Sequence, residues 1–266
     1  MTTVTVDCTG DVVFVTGGAT GIGFGIARLF HATGASVVIG DIRQETLDTA
    51  RATLGDDRTR FLPVDVRDPE QVAAFVRDGE AAFGPATVMV ANAGVYPNTA
   101  VLDMDPAEFD RVMETNVRGV FLACQAAGRS MVANGTRGKI VTIASGAYNS
   151  GRRGASHYCA SKAAVVMFTK VLAMELGEHH INVNCVSPGL IELSDAMSPI
   201  TEEYRDALLA SIPWGRVGQP DDIAKAVLYL CSPAAEWISG AVLSVDGGSS
   251  TGRTHLPFSS LQEPRS

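Results

Sequence analysis

Short apolar runs rich in β-branched residues alternate along the chain with longer stretches whose apolar residues recur every three or four positions. The short runs lie at 11–17 (DVVFVTG), 36–41 (SVVIGD), 59–65 (TRFLPVD), 87–94 (TVMVANAG), 138–145 (GKIVTIAS), 181–189 (INVNCVSPG) and 241–248 (AVLSVDGG). Helical spacing marks 22–33, 69–83, 106–133, 158–178 and 220–231 between them. Strand and helix alternating over the whole length predict one α/β domain, a doubly wound parallel sheet of about seven strands with helices on both faces. Two segments break the rhythm. Residues 190–219 are too long for an ordinary connection and carry a helical pattern of their own at 201–211, which is the signature of a lid. The expected domain is 1–248, with 190–219 as a substrate lid within it and 249–266 as a C-terminal tail.

Composition narrows the class without naming a function. The chain has 266 residues, 46% apolar and 19% charged, enough for a substantial core. A formal charge of −8 argues against a nucleic-acid surface, which needs clustered lysine and arginine. No apolar run approaches a membrane span, and the N-terminal stretch lacks the basic start and cleavage site of an export signal. Five scattered cysteines without a C-x-x-C pair fit reduced thiols, so a cytoplasmic protein is expected. No cluster of histidine, cysteine and carboxylate suggests a metal.

The first strand ends in TGGATGIG (16–23). Gly17, Gly21 and Gly23 let the backbone turn sharply and approach a pyrophosphate, and the helix that follows points its N-terminal amides at the anion. The spacing differs from the commonest dinucleotide fingerprint, and a tight strand-to-helix turn is the plain alternative. Asp41 ends the second strand, where a carboxylate can accept hydrogen bonds from an adenosine ribose. It would repel a 2′-phosphate by roughly 4 kcal/mol for unit charges about 4 Å apart at an effective dielectric near 20. NAD is therefore expected rather than NADP, with Arg43 the one nearby cation. A solvated strand end or helix cap is the alternative for Asp41.

Tyr158 and Lys162, in YCASK, stand four positions apart at a helix start, on one face. Alone, such a pair reads as helix surface. With TGGATGIG, NAG (92–94), Asn116 and Ser145, thirteen residues before Tyr158, it resembles the single-domain branch of the short-chain dehydrogenase/reductase family over roughly 10–248. The resemblance implies a Rossmann-like fold and interconversion of a secondary alcohol, or another hydroxy compound, with its ketone. Tyr158 would be the acid/base, its pKa lowered by Lys162 and by oxidised nicotinamide. Lys162 would also bind the nicotinamide ribose, Ser145 would hold the substrate oxygen, and Asn116 would help hold a water beside Lys162. The cofactor contacts implied are Gly17, Thr20, Gly21, Ile22 and Gly23 at the pyrophosphate and Asp41 at the ribose. Asp65 and Val66 would flank adenine, and Asn92, Ala93 and Gly94 would steady the sheet centre. Pro188, Gly189 and Ile191 would pass the nicotinamide. Many relatives place threonine where this chain has Leu193; Ser194 is the substitute offered here.

Specificity is expected in the loops after Gly94 and Ser145 and in 190–219. Arg152 and Arg153 could bind an anionic substrate group, or face solvent or a neighbouring subunit. His157 reads as a packing or helix-start residue. Tyr96, Pro97, Met197 and Trp214 could wall the pocket. The sequence HLPF (255–258) in the tail could dock on a partner chain. The family also implies a homotetramer or homodimer built through the helices carrying Asn116 and Tyr158. Two other functions remain open: an NADP-dependent carbonyl reductase, which Asp41 opposes, and a non-catalytic nucleotide-binding regulator, which the Ser, Tyr, Lys and Asn set opposes.

Overall fold

The computed structural model describes residues 6–193 and 201–252. Seven strands form a single parallel sheet: β1 (Val12–Thr16), β2 (Ser36–Asp41), β3 (Thr59–Pro63), β4 (Val88–Ala91), β5 (Lys139–Ile143), β6 (Asn182–Pro188) and β7 (Val242–Val245). Their order is β3-β2-β1-β4-β5-β6-β7. Each of the seven expected runs contains its strand. The register pairs Val13 with Val37 on one side and with Val88 on the other, so β1 lies inside the sheet beside the central β4, and the winding reverses between β1 and β4. Loops at the carboxyl ends of these two strands diverge there and leave a crevice.

The strand period divides the core into two layers. Val13, Val15, Ile39 and Val90 point to one face, where they pack with Ile26 and Phe30 of α1 (Gly21–Ala32) and Ile223 and Val227 of α8 (Pro220–Cys231). Val12, Phe14, Val38 and Met89 point to the other. There they meet Val72 and Phe75 of α3 (Pro69–Phe83), Ala127 and Met131 of α5 (Gly119–Asn134) and Val165 of α6 (Ser156–Leu176). One helix, α2 (Gln44–Leu54), was not among the expected ones: it buries only Leu47 and Ala50, too few positions for a clear period.

The long helix expected over 106–133 is broken. It runs as α4 (Pro106–Met113), one turn of π-helix (Glu114–Arg118) and then α5. Asn116 sits in that turn, fully buried. Within 190–219, Ile191 bridges to Gly218, and α7 (Glu202–Ala210) confirms the helical pattern expected at 201–211. Two backbone bonds tie this region and the end of β6 to β7: Gly189 N–H donates to Val245 O, and Trp214 N–H to Gly247 O, both at 3.1 Å. Among the described residues no helix is long and apolar enough to cross a membrane. Ser194, Met197 and the HLPF segment lie outside the described residues.

Candidate active site

The glycine turn closes β1 onto α1 with left-handed backbone at Gly17 (φ +60°) and Gly21 (φ +53°), which glycine adopts without strain. Space is equally restrictive. A Cβ at Gly17 would lie 2.9 Å from Ala93 Cα, and one at Gly23 would overlap the Gly17 carbonyl oxygen. Asn92 fastens the turn from β4, its Nδ2 donating to Thr16 O and Gly17 O, both at 3.0 Å. Thr16 Oγ1 accepts from the N–H groups of Asn92 and Ala93 in return. Asn92 and Ala93 thus act as a brace. Thr16 had not been singled out in the sequence.

The start of α1 differs from the starts of α3, α4 and α7. Those three are capped by the side chains of Asp68, Asp105 and Thr201 and carry glutamate in the first turn. At α1 the Thr20 side chain makes no cap bond and no acidic residue occupies the first turn. The amides of Gly21, Ile22 and Gly23 are left for an external acceptor, and no acidic residue of the helix's own first turn opposes one. A cavity of about 680 Å³ opens beside them, lined by Thr20, Gly21, Leu193 and Gln219 and by Glu192, Asp221 and Asp222, whose carboxylates are paired with Arg205, Arg28 and Arg216. The residues present fit a dinucleotide pyrophosphate.

Asp41, 7% exposed, ends β2, and its Oδ1 accepts from Arg43 N–H at 3.2 Å. Arg43 itself is exposed. The Asp65 carboxylate is held by Arg67 through three contacts of 2.6–3.0 Å, and this hydrogen bonding keeps it below the ordinary carboxylate range. Val66 is buried, with its Cγ2 2.7 Å from where a Cβ on Gly119 would stand.

Across the crevice, Ser145 follows β5 and Tyr158 stands in the first turn of α6, with Lys162 one turn on. Ser145 shares a hydrogen bond with Tyr158. Lys162 is 4% exposed; its Nζ donates to Ile143 O at 2.8 Å and lies 5.7 Å from the Tyr158 ring centroid. Burial pushes the Lys162 ammonium down from its ordinary 10.5 to about 8. The expected fall in the Tyr158 pKa is reversed. Burial, the largest influence, holds the phenol above its ordinary value, while the Ser145 bond and the Arg152 charge pull against it.

Asn116 closes a second network. Its Oδ1 accepts from Val95 N–H at 2.8 Å, and its Nδ2 donates to Val95 O at 2.8 Å and to Ser161 Oγ at 3.1 Å. Ser161 donates onward to Tyr158 O at 2.7 Å. Gly94 lies between Asn116 and Lys162: a Cβ there would be 3.2 Å from Asn116 Oδ1 and 3.6 Å from Lys162 Nζ. A π-turn displaces the backbone bonding that a straight α-helix would use, which places Asn116 facing this loop. Gly189 permits close approach of β7, a Cβ there falling 2.7 Å from Asp246 Cβ. His157 is fully buried and its Nε2 meets Glu108 Oε1 at 3.1 Å, as suits a packing role. Tyr96 meets the Tyr158 ring edge-on at 6.2 Å, whereas Trp214 is largely exposed. Among the described residues no group of three or more histidine, cysteine or carboxylate side chains is placed to hold a metal.

A family model described as Enoyl-(Acyl carrier protein) reductase matches residues 17–250. The 3-oxoacyl-(acyl-carrier-protein) reductase FabG of Chlamydia muridarum (strain MoPn / Nigg) is 38% identical over 237 residues, covering 88% of this chain and 95% of its own length. The NAD-dependent glycerol dehydrogenase of Listeria innocua serovar 6a is 38% identical over 240 residues, covering 90% and 94%. The crystal structure of a short-chain type dehydrogenase/reductase from Mycobacterium marinum is 36% identical with a TM-score of 0.87, covering 91% of this chain and 96% of that one.

Proposed function

The chain belongs to the short-chain dehydrogenase/reductase family, an oxidoreductase family, and on that premise we propose that it uses NAD to interconvert a secondary alcohol and its ketone. The observation that carries this reading is the contact of Ser145 with a half-buried Tyr158 one turn before a buried Lys162. Bound NAD supplies or accepts the hydride at carbon. The protein's own task is the proton. In ketone reduction the Tyr158 hydroxyl gives its proton to the substrate oxygen; in alcohol oxidation the phenolate takes the carbinol proton back. Ser145 holds the substrate oxygen beside Tyr158. Lys162, still largely protonated at neutral pH, favours the phenolate and is offered to the nicotinamide ribose. Asn116 acts through Val95 and Ser161, which frame Tyr158 and Lys162, and it remains the residue proposed to hold a water beside Lys162.

For the cofactor, Gly17, Thr20, Gly21, Ile22 and Gly23 would hold the pyrophosphate and Asp41 the ribose. Asp65 and Val66 would flank adenine, and Gly94, Pro188, Gly189 and Ile191 would line the nicotinamide side, with Ser194 as a further contact. Support for NAD comes from Asp41 at the end of β2 and from a relative whose name is NAD-dependent. The second reading is an NADP-dependent carbonyl reductase, favoured by the exposed Arg43 and by a relative named as a reductase.

We place the protein in the cytoplasm, in keeping with five free cysteines, and read 190–219 as the substrate lid. A homotetramer or homodimer is supported by exposed apolar residues on α5 and α6: Phe121, Met167, Val171 and Met174. Tyr158→Phe tests the core of the proposal. Turnover of secondary alcohols should fall by about 10²- to 10⁴-fold with NADH binding retained. Comparable turnover in that variant would sink the assignment.

A further inference from the structure

Arg152 is set apart from the other arginines by its place beside Tyr158. Arg28, Arg67, Arg205 and Arg216 each hold a carboxylate, and Arg60 and Arg118 donate to backbone carbonyls. Arg152 has neither kind of partner among the described residues. Its guanidinium carbon lies over the Tyr158 ring, 5.7 Å from the centroid. Although Asp and Glu number 29 against Lys and Arg at 21, no carboxylate among the described residues takes this exposed guanidinium beside the phenol, so its donors are open to a ligand.

The backbone beneath it is fixed. Ala155 N–H donates to Arg152 O at 3.1 Å, and Thr99 N–H donates to Gly154 O at 2.8 Å, tying this loop to the one that carries Tyr96. Gly154 has φ +75°, and a Cβ there would lie 2.5 Å from Asn98 Oδ1, so the crossing needs glycine. Backbone fixed and side chain exposed leave a free fork of donors beside Tyr158.

We propose that Arg152 selects substrates that carry a carboxylate, binding it in the guanidinium fork while the carbinol or carbonyl carbon meets Tyr158. A monoanion is the match, because one guanidinium pairs with the two oxygens of a carboxylate, and the other cation at the Tyr158 ring, Lys162, is buried and anchored on Ile143 O. Arg153 is exposed and makes no contact with Tyr158, and His157 is buried against Glu108. This rests on the dehydrogenase reading above and names its substrate class.

The test uses the full-length protein and a series of oxo acids from 3-oxobutanoate to 6-oxoheptanoate, each beside its primary amide. In the wild type the best acid should exceed its amide at least tenfold in kcat/KM, through KM. Arg152→Gln should bring the pair within about threefold, with the acid's KM rising far more than its kcat falls, and Arg153→Gln should keep the wild-type preference. Calorimetric titration of each acid and amide into the NADH complex reads recognition separately from turnover. Tighter binding of the acid that Arg152→Gln abolishes supports the assignment even if nothing turns over, in which case the dehydrogenase reading alone has failed. Acids that bind no more tightly than amides across the series would overturn it. So would an Arg152→Gln variant that keeps the preference but changes oligomeric mass, because the arginine would then belong to a subunit contact.

Discussion

Lys162→Met should make the protein more stable at neutral pH while disabling it. The ammonium is 4% exposed and its pKa falls from 10.5 to about 8, which corresponds to a penalty of roughly 3 kcal/mol for keeping it charged in the native state. The sign follows from proton counts. Below about pH 8 both native and unfolded chains hold the proton, so the penalty is complete. Between 8 and 10.5 the native lysine is neutral and the unfolded one charged, so the unfolded chain binds more protons and stability rises with pH. Methionine removes the penalty but strands Ile143 O, which now accepts from Nζ at 2.8 Å, at a cost of about 1 kcal/mol. The net gain at pH 7.5 is roughly 2 kcal/mol, or about 4–8 °C in Tm for a chain of this length. At pH 9.5 only roughly 1 kcal/mol of penalty remains, and the two proteins should melt within about 2 °C of each other. Taking the difference between wild type and variant cancels every other titrating group. The assay is thermal unfolding by circular dichroism at both pH values, with alcohol turnover measured in parallel. A folded variant that is no more stable at pH 7.5, or whose advantage does not shrink by pH 9.5, would refute the burial argument.

Asp41→Asn should improve NADP(H) affinity by about 10- to 100-fold, measured by fluorescence titration, because the repulsion of roughly 4 kcal/mol at close range is removed; wild-type protein that binds both cofactors equally would defeat the NAD assignment. Gly23→Ala forces a methyl group into Gly17 O and within 2.6 Å of Asn92 Nδ2, so NADH binding should weaken at least tenfold in the same titration; unchanged affinity would mean the turn does not form the cradle.

The inner strands were legible because they are buried on both faces and so form unbroken apolar runs, as VVFVT in β1 shows, whereas the edge strands β3 and β7 are more exposed. The glycine turn was legible because left-handed backbone at Gly17 and Gly21 leaves a residue-type signature. Spacing put Tyr158 and Lys162 on one helix face, the family resemblance added Ser145, and the structure brings the three together. What spacing could not carry was partner choice. That Lys162 donates to Ile143 O, that Asp65 is held by Arg67, and that burial outweighs the charges around Tyr158 all depend on contacts made after folding. The π-turn at Asn116 was hidden for a different reason: Glu114–Arg118 has ordinary helical composition, and its departure is forced by the bonds Asn116 makes to Val95, a residue far back in the chain. Arg152 was visible only as a charge near Tyr158, and its place over the ring comes from the glycine crossing at Gly154.

The two backbone bonds that tie Gly189 to Val245 and Trp214 to Gly247 set an order of events at the ribosome. A nascent chain that has emerged as far as β6 already holds Gly17, Asp41, Ser145, Tyr158 and Lys162. It lacks β7, the strand against which the end of β6 and the 190–219 region are held. At ~5–20 residues per second, several seconds of elongation separate the two. Throughout that interval Cys185–Pro188 is a raw sheet edge whose amides and carbonyls have no neighbour on one side, open to pairing with another nascent chain. A chain cut before Val242 would keep every reacting group, and it would carry that sticky edge permanently.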